Sequence, residues 1–241
     1  MKVKEYVIKK IERLPKGFVF TYEDIIKEVS SKEAVIKNLN RMVTSGKLSK
    51  LSKGRFYKPE ITLFGELEPN EYQVAKDLLE KNGKTIGYLT GLTVYNQLGL
   101  TTQLSNSIQI GRNEIRPAFQ RGKYKISFVK QKNNITKENI PMLQILDSIR
   151  YIKEIPDAET SFLCNRFLNI LAGLSQKNKI ALIRLALKYS LATRALVGAL
   201  LDKTGDEELT EKLQNSLNPI TTYKLGITKE DLSTIEKWNI K

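Results

Sequence analysis

The sequence predicts an α+β protein that is mainly α, with an amino-terminal module, a small α/β unit and a carboxy-terminal helical region. Helical spacing of apolar residues alternates with caps and tight turns over the first 60 residues. Short apolar runs typical of strands recur between residues 86 and 129. From about residue 138 onward, apolar residues recur almost only at the spacing of amphipathic helices.

The amino-terminal module is predicted to begin with a helix and a short strand. Apolar residues recur at helical spacing over residues 2–14, and Pro15-Lys16-Gly17 ends the pattern. The run Phe-Val-Phe at residues 18–20 is long enough for one small strand.

A second helix over residues 22–29 is predicted from its cap. Thr21 is a good capping residue, and Asp24 is placed to reach back to it. Phe20 and Ile25 flank this cap as the two members of a hydrophobic staple.

A third helix is predicted to start at the capping box of Ser30 with Glu33, and to end at Gly46. One arc of its helical wheel is apolar and the opposite arc is polar and basic. The polar arc and its flanks consist of Lys37, Arg41, Thr44, Ala34, Asn38 and Asn40. An ordinary solvated helix face has the same pattern, so its interpretation depends on the elements around it.

A basic β-hairpin is predicted to follow the third helix. Lys53-Gly54 is a two-residue turn signal, since glycine supplies the positive φ, and apolar residues flank it on both sides. The basic residues of this hairpin are Lys47, Lys50, Lys53, Arg55 and Lys58.

The order helix, strand, helix, tight turn, helix, basic hairpin is that of a winged helix-turn-helix, whose third helix enters the DNA major groove. We therefore expect residues 1–60 to form a DNA-binding domain, although some winged helices bind protein or RNA. Lys37, Asn38 and Arg41 are expected to reach base edges, because Arg reads guanine and Asn reads adenine. Phosphate contacts are expected from the hairpin residues Lys47, Lys50, Lys53, Arg55 and Lys58.

The rest of the chain is predicted to form a linker and a second domain. Residues 61–70, with Gly65 and Pro69, are expected to be the linker. The second domain, residues 71–241, is expected to contain an α/β part over 71–132 and a helical part over 138–241. The predicted helices of that part cover residues 140–155, 162–174, 176–188, 191–203 and 207–217.

A second basic run in the α/β part allows two interpretations. Its principal residues are Arg112, Arg116, Arg121 and Lys123, followed by Lys125, Lys130 and Lys132. The run is either the charged face of a hairpin or a secondary surface for nucleic acid or an acidic partner.

Composition excludes several classes of chemistry. The chain has no histidine and one cysteine, so a Ser-His-Asp triad, a Cys/His metal cluster and an internal disulfide are ruled out. Cys164 is interpreted as a buried small residue, and Asp147 as a solvated helix carboxylate. We expect no catalytic residue, no metal and no cofactor, and hence no enzyme.

The charge distribution indicates anionic partners. The formal net charge is +14 over 241 residues, and residues 1–60 hold 15 basic against 7 acidic residues. More than half of the excess therefore lies in the first quarter of the chain, which favours an anion-binding surface there. No apolar stretch is long enough to span a membrane, so no membrane partner and a cytoplasmic location are expected.

Four segments carry a family resemblance: RLPKGFVFTYEDI, EAVIKNLNRMVTSGKLSKLSKGRFYKP, IGYLTGLTVYNQLGLTTQ and IQIGRNEIRP. The chain resembles the AbiEi-type antitoxins of bacterial abortive-infection systems, the type IV toxin–antitoxin class, in particular a Bacteroidetes-like branch. The resemblance covers about residues 2–200. It implies DNA contacts at Lys37, Arg41, Lys50, Lys53 and Arg55, and it transfers no catalytic residue.

The resemblance implies a transcriptional autorepressor that is also an antitoxin. Its partners would be an operator in double-stranded DNA, expected to hold inverted repeats, and an AbiEii-like nucleotidyltransferase toxin. Two other functions remain open: a winged-helix transcription factor with a ligand-sensing or dimerisation domain, and a nucleic-acid-processing enzyme.

Overall fold

The computed structural model describes residues 3–26 and 31–241. These residues form a mixed α/β structure with ten α-helices and several small β-sheets. The chain divides into two compact units. The first unit contains the described residues up to Asp77 together with Gln120–Tyr124, and the second contains Leu78–Phe119 and Lys125–Lys241.

The first unit alternates helices with short strands. Its elements are α1 (Val3–Glu12), β1 (Val19–Thr21), α2 (Tyr22–Ile26), α3 (Lys32–Thr44), β2 (Ser49–Ser52), β3 (Arg55–Tyr57), β4 (Glu60–Thr62) and β5 (Gly65–Leu67). Helix α4 (Glu71–Leu79) follows them. Strands β1, β3 and β2 form one antiparallel sheet in that order, with β3 in the centre. The predicted order of helices, strand and hairpin is confirmed over the described residues.

The core of the first unit joins the helices to the sheet. Its buried residues are Val7, Ile11, Phe20, Ile25, Val35, Leu39, Leu48 and Phe56. Asp24 accepts hydrogen bonds from the backbone N–H and the hydroxyl of Thr21, at 2.7 and 2.9 Å. The predicted cap is therefore confirmed, and both members of the predicted staple, Phe20 and Ile25, are buried.

The start of α3 differs from the expected capping box. Ser31 is the N-cap, and its hydroxyl accepts from the N–H of Ala34 at 3.3 Å. Ser30, the expected cap, and the end of the expected second helix lie outside the described residues. Two adjacent serines offer the same hydroxyl to a helix terminus, so the sequence alone does not distinguish them.

The segment expected to be a linker contains the β4–β5 hairpin. The hydroxyl of Tyr57 donates to Glu66 at 2.5 Å, which ties this hairpin to β3. The observed boundary of the first unit therefore lies at Asp77 rather than residue 60. Arg121 belongs to the same unit because its side chain binds Asp77 and the carbonyl of Val74.

Small β elements follow α4, and the division between the two units falls within β10 and within β11. They are β6 (Glu80–Lys81), β7 (Lys84–Thr85), β8 (Gly87–Thr90), β9 (Ser107–Arg112), β10 (Phe119–Arg121) and β11 (Tyr124–Lys130), with α5 (Leu92–Gln97) between β8 and β9. The main sheet has the order β10–β11–β9–β8. β9 runs parallel to β11 and antiparallel to β8. The short strands expected between residues 86 and 129 are confirmed, with β9 and β11 containing the apolar runs at 108–110 and 125–129.

Helices complete the second unit. They are α6 (Ile140–Arg150), α7 (Thr160–Ala172), α8 (Gln176–Ala186), α9 (Leu191–Lys203) and α10 (Glu207–Gln214), with short 3₁₀ turns at Ile152–Glu154 and Ile235–Trp238. The five predicted helices are confirmed, except that the first ends at Arg150 and continues as a 3₁₀ turn. Cys164 is buried in this core, as expected. Within the described ranges, no helix combines the length and apolar composition needed to cross a bilayer.

Candidate nucleic-acid interface

Helix α3 separates a buried side from a basic side. Val35 and Leu39 are fully buried, whereas Lys37 and Arg41 are exposed. Residues four apart lie on one face of a helix, so Lys37 and Arg41 form one cationic strip. Among residues 3–26 and 31–241, neither side chain has a hydrogen-bond or ion-pair partner. Both are therefore available to an external anion.

Asn38 is partly engaged by its own helix. Its side-chain amide donates to the carbonyl of Ala34 at 2.8 Å, and the residue is half-buried. Bidentate recognition of adenine needs both the amide nitrogen and the amide oxygen of an asparagine. The structure therefore holds Asn38 in a conformation that differs from the expected base-reading one.

The β2–β3 hairpin carries exposed lysines at its base and tip. Lys47, Lys50 and Lys53 are all exposed, and the described part of the chain gives none of them an ionic partner. Gly54 follows Lys53 at the turn with φ +75°, a conformation that glycine adopts readily. The two-residue turn predicted at Lys53-Gly54 is confirmed.

Tyr22 lies between the hairpin turn and the start of α3. A Cβ atom built on Gly54 would lie 3.7 Å from its ring, so the ring lies next to the turn. The ammonium group of Lys32, the first residue of α3, lies 4.8 Å from the centre of the same ring. The hairpin turn and the amino-terminal end of α3 are therefore neighbours, with exposed basic residues on both elements.

Two of the predicted phosphate ligands have internal partners instead. Arg55 forms a 2.8 Å ion pair with Asp77. The ammonium group of Lys58 donates to the backbone carbonyl of Glu12 at 3.1 Å, at the end of α1. Cations at a helix carboxy terminus satisfy carbonyl groups that lack partners within the helix. Both residues therefore stabilise the first unit.

The four principal residues of the expected second basic surface are not all exposed. The side chain of Arg121 is only 5% exposed, and it binds Asp77 at 2.6 Å. Lys123 is exposed and forms a 2.8 Å ion pair with Glu68. The placement expected for Arg121 is therefore wrong, because its charge is neutralised inside the first unit.

Arg112 and Arg116 belong to the second unit and have different surroundings from each other. The guanidinium of Arg116, an exposed residue, lies over the rings of Phe119 and Phe128, with 4.8 and 5.2 Å to their centres. Arg112 is half-buried at the end of β9, and a Cβ on Gly87 would meet its side chain at 3.0 Å. The stem of Arg112 is therefore packed, whereas Arg116 presents its charge over two aromatic rings.

The carboxylate of Asp77 forms ion pairs with two arginines of the first unit, Arg55 and Arg121. Burial alone would raise its pKa, but the hydrogen bonds and charges of Arg121 and Arg55 outweigh burial and lower the pKa. The sequence around Asp77 does not indicate this role, because its partners Arg55 and Arg121 lie 22 and 44 residues away.

A buried polar cluster in the second unit was also missed. Asp147 is 1% exposed, so its expected position on a solvated helix face is wrong. Its carboxylate accepts hydrogen bonds from the hydroxyls of Tyr88 and Tyr189, each at 2.8 Å, and from Thr90 at 3.1 Å. Burial raises the pKa of Asp147 in spite of these donors. The three hydroxyl groups lie on elements distant in sequence, so no local pattern indicates them.

The comparisons with known proteins identify a fold and a family. The crystal structure of the RV2827C protein from Mycobacterium tuberculosis matches with a TM-score of 0.64 and 13% sequence identity, covering 100% of this chain and 91% of that one. At this identity the likeness shows a shared fold. No curated protein matches the chain. The model of a family of unknown function, DUF6088, matches residues 6–166, which is more than half of the sequence. The chain therefore belongs to the DUF6088 family.

Proposed function

We propose that the first unit is a winged helix-turn-helix that binds duplex DNA, with α3 in the major groove and the β2–β3 hairpin as the wing. The observation that carries this proposal is the placement, on two adjacent elements, of exposed basic residues that have no ionic partner among the described residues. Lys37 and Arg41 lie on α3, and Lys50 and Lys53 lie on the hairpin. The ring of Tyr22 lies next to both elements.

The side chains divide the recognition between them. Arg41 can read a guanine edge with two hydrogen bonds, a contact that is worth about 1–3 kcal/mol of discrimination. Lys50 and Lys53 bind phosphates, which contribute affinity and salt dependence but carry no sequence information. Arg55 supports the wing through Asp77 and does not itself bind DNA.

Two substitutions test this division. Arg41→Ala is expected to reduce the preference for the operator over an unrelated duplex by about 1–3 kcal/mol. Lys53→Ala is expected to weaken both duplexes equally and to reduce the slope of log K against log salt by about 1. Lys9→Ala on α1 removes the same charge from another exposed position and is the matched control.

Binding measured by fluorescence anisotropy over a series of salt concentrations separates the two effects. If Arg41→Ala changes neither affinity nor preference relative to Lys9→Ala, α3 is not the recognition helix.

In this proposal, the whole protein is an autorepressor, which binds DNA through its first unit. It is also an antitoxin against a nucleotidyltransferase toxin. Support comes from the resemblance of four segments, spread from Arg13 to Pro117, to AbiEi-type antitoxins. We assign repression to the first unit and the antitoxin activity to the second. An adjacent reading frame for a nucleotidyltransferase is the genomic arrangement that this function requires.

Co-expression tests the antitoxin half directly. The full chain is expected to restore growth of cells that express the neighbouring nucleotidyltransferase. Arg41→Ala is expected to lose repression of the operon promoter while it still restores growth. Failure of the unmodified chain to restore growth would remove the antitoxin function and leave the DNA-binding proposal unaffected.

A further inference from the structure

A cationic pocket lies in the second unit, and none of its lining residues is among those proposed to bind DNA. It has a volume of about 280 Å³ and is lined by Lys130, Gln131, Lys132, Arg150, Lys188, Tyr189 and Ser190. Four of these seven residues are basic, and all four are exposed. No Asp or Glu lines the pocket within the described residues.

The floor of the pocket is held by a chain of buried hydrogen bonds. The amide of Gln131 donates to the hydroxyl of Tyr189 at 2.8 Å, and that hydroxyl donates to Asp147 at 2.8 Å. Gln131 and Tyr189 are 4% and 7% exposed. Side chains fixed by several buried hydrogen bonds do not change conformation easily, so the floor is preorganised.

This hydrogen-bond chain brings the four cations together. Gln131 lies between Lys130 and Lys132 in sequence, and Tyr189 directly follows Lys188. Asp147 lies one turn before Arg150 on α6. The hydrogen bonds that join Gln131, Tyr189 and Asp147 therefore place the four cations around one cavity.

The surroundings of the pocket favour an anion. The guanidinium of Arg150 lies 4.9 Å from the ring centre of Tyr151, and the described residues provide no ion pair for it or for the three lysines. Four like charges around one cavity repel each other, and an anion relieves that repulsion. Ser190 also caps α9, so the positive end of that helix dipole begins at the wall of the pocket.

We propose that this pocket binds the phosphate group of a small phosphorylated molecule. The combination of lysines with an arginine, without a carboxylate, is suited to phosphate oxygens, since lysine provides a point charge and arginine two parallel donors. A volume of about 280 Å³ lies just below the usual range for pockets that bind drug-sized ligands, so it suits a phosphate or pyrophosphate group rather than a larger ligand. Such a site is what a ligand-sensing domain requires, and it does not depend on the proposed DNA binding.

Calorimetric titration of the full chain with pyrophosphate, at constant ionic strength set by sodium chloride, tests the proposal. We expect saturable binding that weakens about tenfold or more in the double variant Lys132→Gln, Lys188→Gln, because each substitution removes a charge-assisted contact. The double variant Lys177→Gln, Lys203→Gln removes the same charge from exposed positions of α8 and α9 outside the pocket. It is expected to bind as the unmodified chain does.

Further titrations define the ligand. Inorganic phosphate and adenosine triphosphate are expected to bind at the same site and adenosine is not, since the pocket recognises phosphate. Equal affinity of both double variants for pyrophosphate, or absence of binding to the unmodified chain, would overturn the proposal.

Two measurements separate this proposal from the DNA-binding one. Arg41→Ala should leave pyrophosphate binding unchanged, whatever its effect on DNA. The pocket double variant should bind duplex DNA as tightly as its control. A larger loss of duplex affinity in the pocket variant would assign the pocket to the DNA backbone and overturn the assignment to a small molecule.

Discussion

Arg121 binds the carboxylate of Asp77 through two parallel contacts, at 2.6 and 3.0 Å, across 44 residues of sequence. A third donor contact, also from Nη1 of Arg121, reaches the carbonyl of Val74 at 2.6 Å. Arg121 is buried, whereas the side chain of Asp77 is 43% exposed. Removal of Asp77 would therefore leave a buried charge without a partner, whereas removal of Arg121 would leave a charge that water reaches.

We predict that Asp77→Asn destabilises the first unit more than Arg121→Met does. Loss of the carboxylate leaves a buried guanidinium without its counter-charge, at a cost of about 3 kcal/mol. Loss of the guanidinium leaves a carboxylate that water and Arg55 still reach, so we expect a cost of about 1 kcal/mol. Chemical denaturation of each variant measures the two differences.

The contribution of the Asp77 carboxylate to the stability of the first unit should also depend on pH. A carboxyl whose pKa is lowered by folding adds stability above its ordinary pKa of 3.8, and this stability is lost as the pH falls through the lowered value. The difference between the unmodified chain and Asp77→Asn should therefore shrink as the pH is lowered below about 4. Glu60→Gln, at an exposed ion pair with Lys16, is the control and should have little effect at any pH. A difference for Asp77→Asn that grows towards low pH would contradict the ion-pair explanation.

A second prediction concerns two residues, Asn38 and Arg55, that are expected from the sequence to contact DNA. In the structure, both side chains bind partners within the first unit. Asn38→Ala should change operator preference less than Arg41→Ala, because the amide of Asn38 is bound to Ala34. Arg55→Ala should reduce the salt slope less than Lys53→Ala, because its guanidinium pairs with Asp77. Anisotropy titrations against operator and unrelated duplexes provide both comparisons. Equal effects within each pair would show that these side chains leave their internal partners when DNA binds.

The sequence predicts well those parts of the structure that depend on interactions between residues only a few positions apart. Thr21 and Asp24 are three positions apart, so the cap and its partner are visible together. The turn at Gly54 and the helical spacing of α6 to α10 are local in the same sense. Such features need no knowledge of how distant segments meet.

The errors involve side chains whose partners are far away in the sequence. Arg121 resembled a surface cation because its neighbours are polar, but its partner Asp77 lies 44 residues earlier. Asp147 resembled a solvated carboxylate, yet it accepts from Tyr88 and Tyr189, which lie 59 and 42 residues away. The cationic pocket was missed for the same reason, since Lys132 and Lys188 come together only through these buried contacts.

A third prediction follows from the burial of Asp147. Folding raises the pKa of this carboxyl above its ordinary value of 3.8. The contribution of Asp147 to the stability of the fold is therefore most favourable at a pH below 3.8, and it is lost as the pH rises through the raised pKa of the folded state. Each unit by which the pKa is raised removes about 1.4 kcal/mol of stability at neutral pH. Denaturation of the second unit should therefore become easier as the pH rises above about 4.

Asp147→Asn should remove this pH dependence while retaining the hydrogen bonds, because each of the three hydroxyls can accept as well as donate. The exposed carboxylate Glu208→Gln is the control and should leave the pH profile unchanged. Denaturation midpoints measured from pH 4 to pH 8 compare the three proteins. If the profile of Asp147→Asn matches that of the unmodified chain, Asp147 is not the group that titrates.

The fourth prediction concerns Gly198, which lies directly beneath the indole ring of Trp238. A Cβ atom at position 198 would overlap three atoms of that ring. Trp238 is 1% exposed, and its indole N–H donates to Asp202 at 2.8 Å, so the ring has little freedom to move. The absence of a side chain at Gly198 therefore provides the space that the indole ring occupies.

Gly198→Ala should therefore destabilise the second unit by about 1–3 kcal/mol, the usual cost of overpacking a core, although alanine favours helices more than glycine does. Gly173→Ala is the matched control, because a Cβ there would meet only carbonyl oxygens at 3.5 and 3.6 Å. Trp238 is the only tryptophan, so its fluorescence reports on this contact alone. Gly198→Ala should shift the native emission to longer wavelength as the ring is displaced toward water. An unchanged spectrum with unchanged stability would mean that the carboxy-terminal segment moves away from α9 without cost.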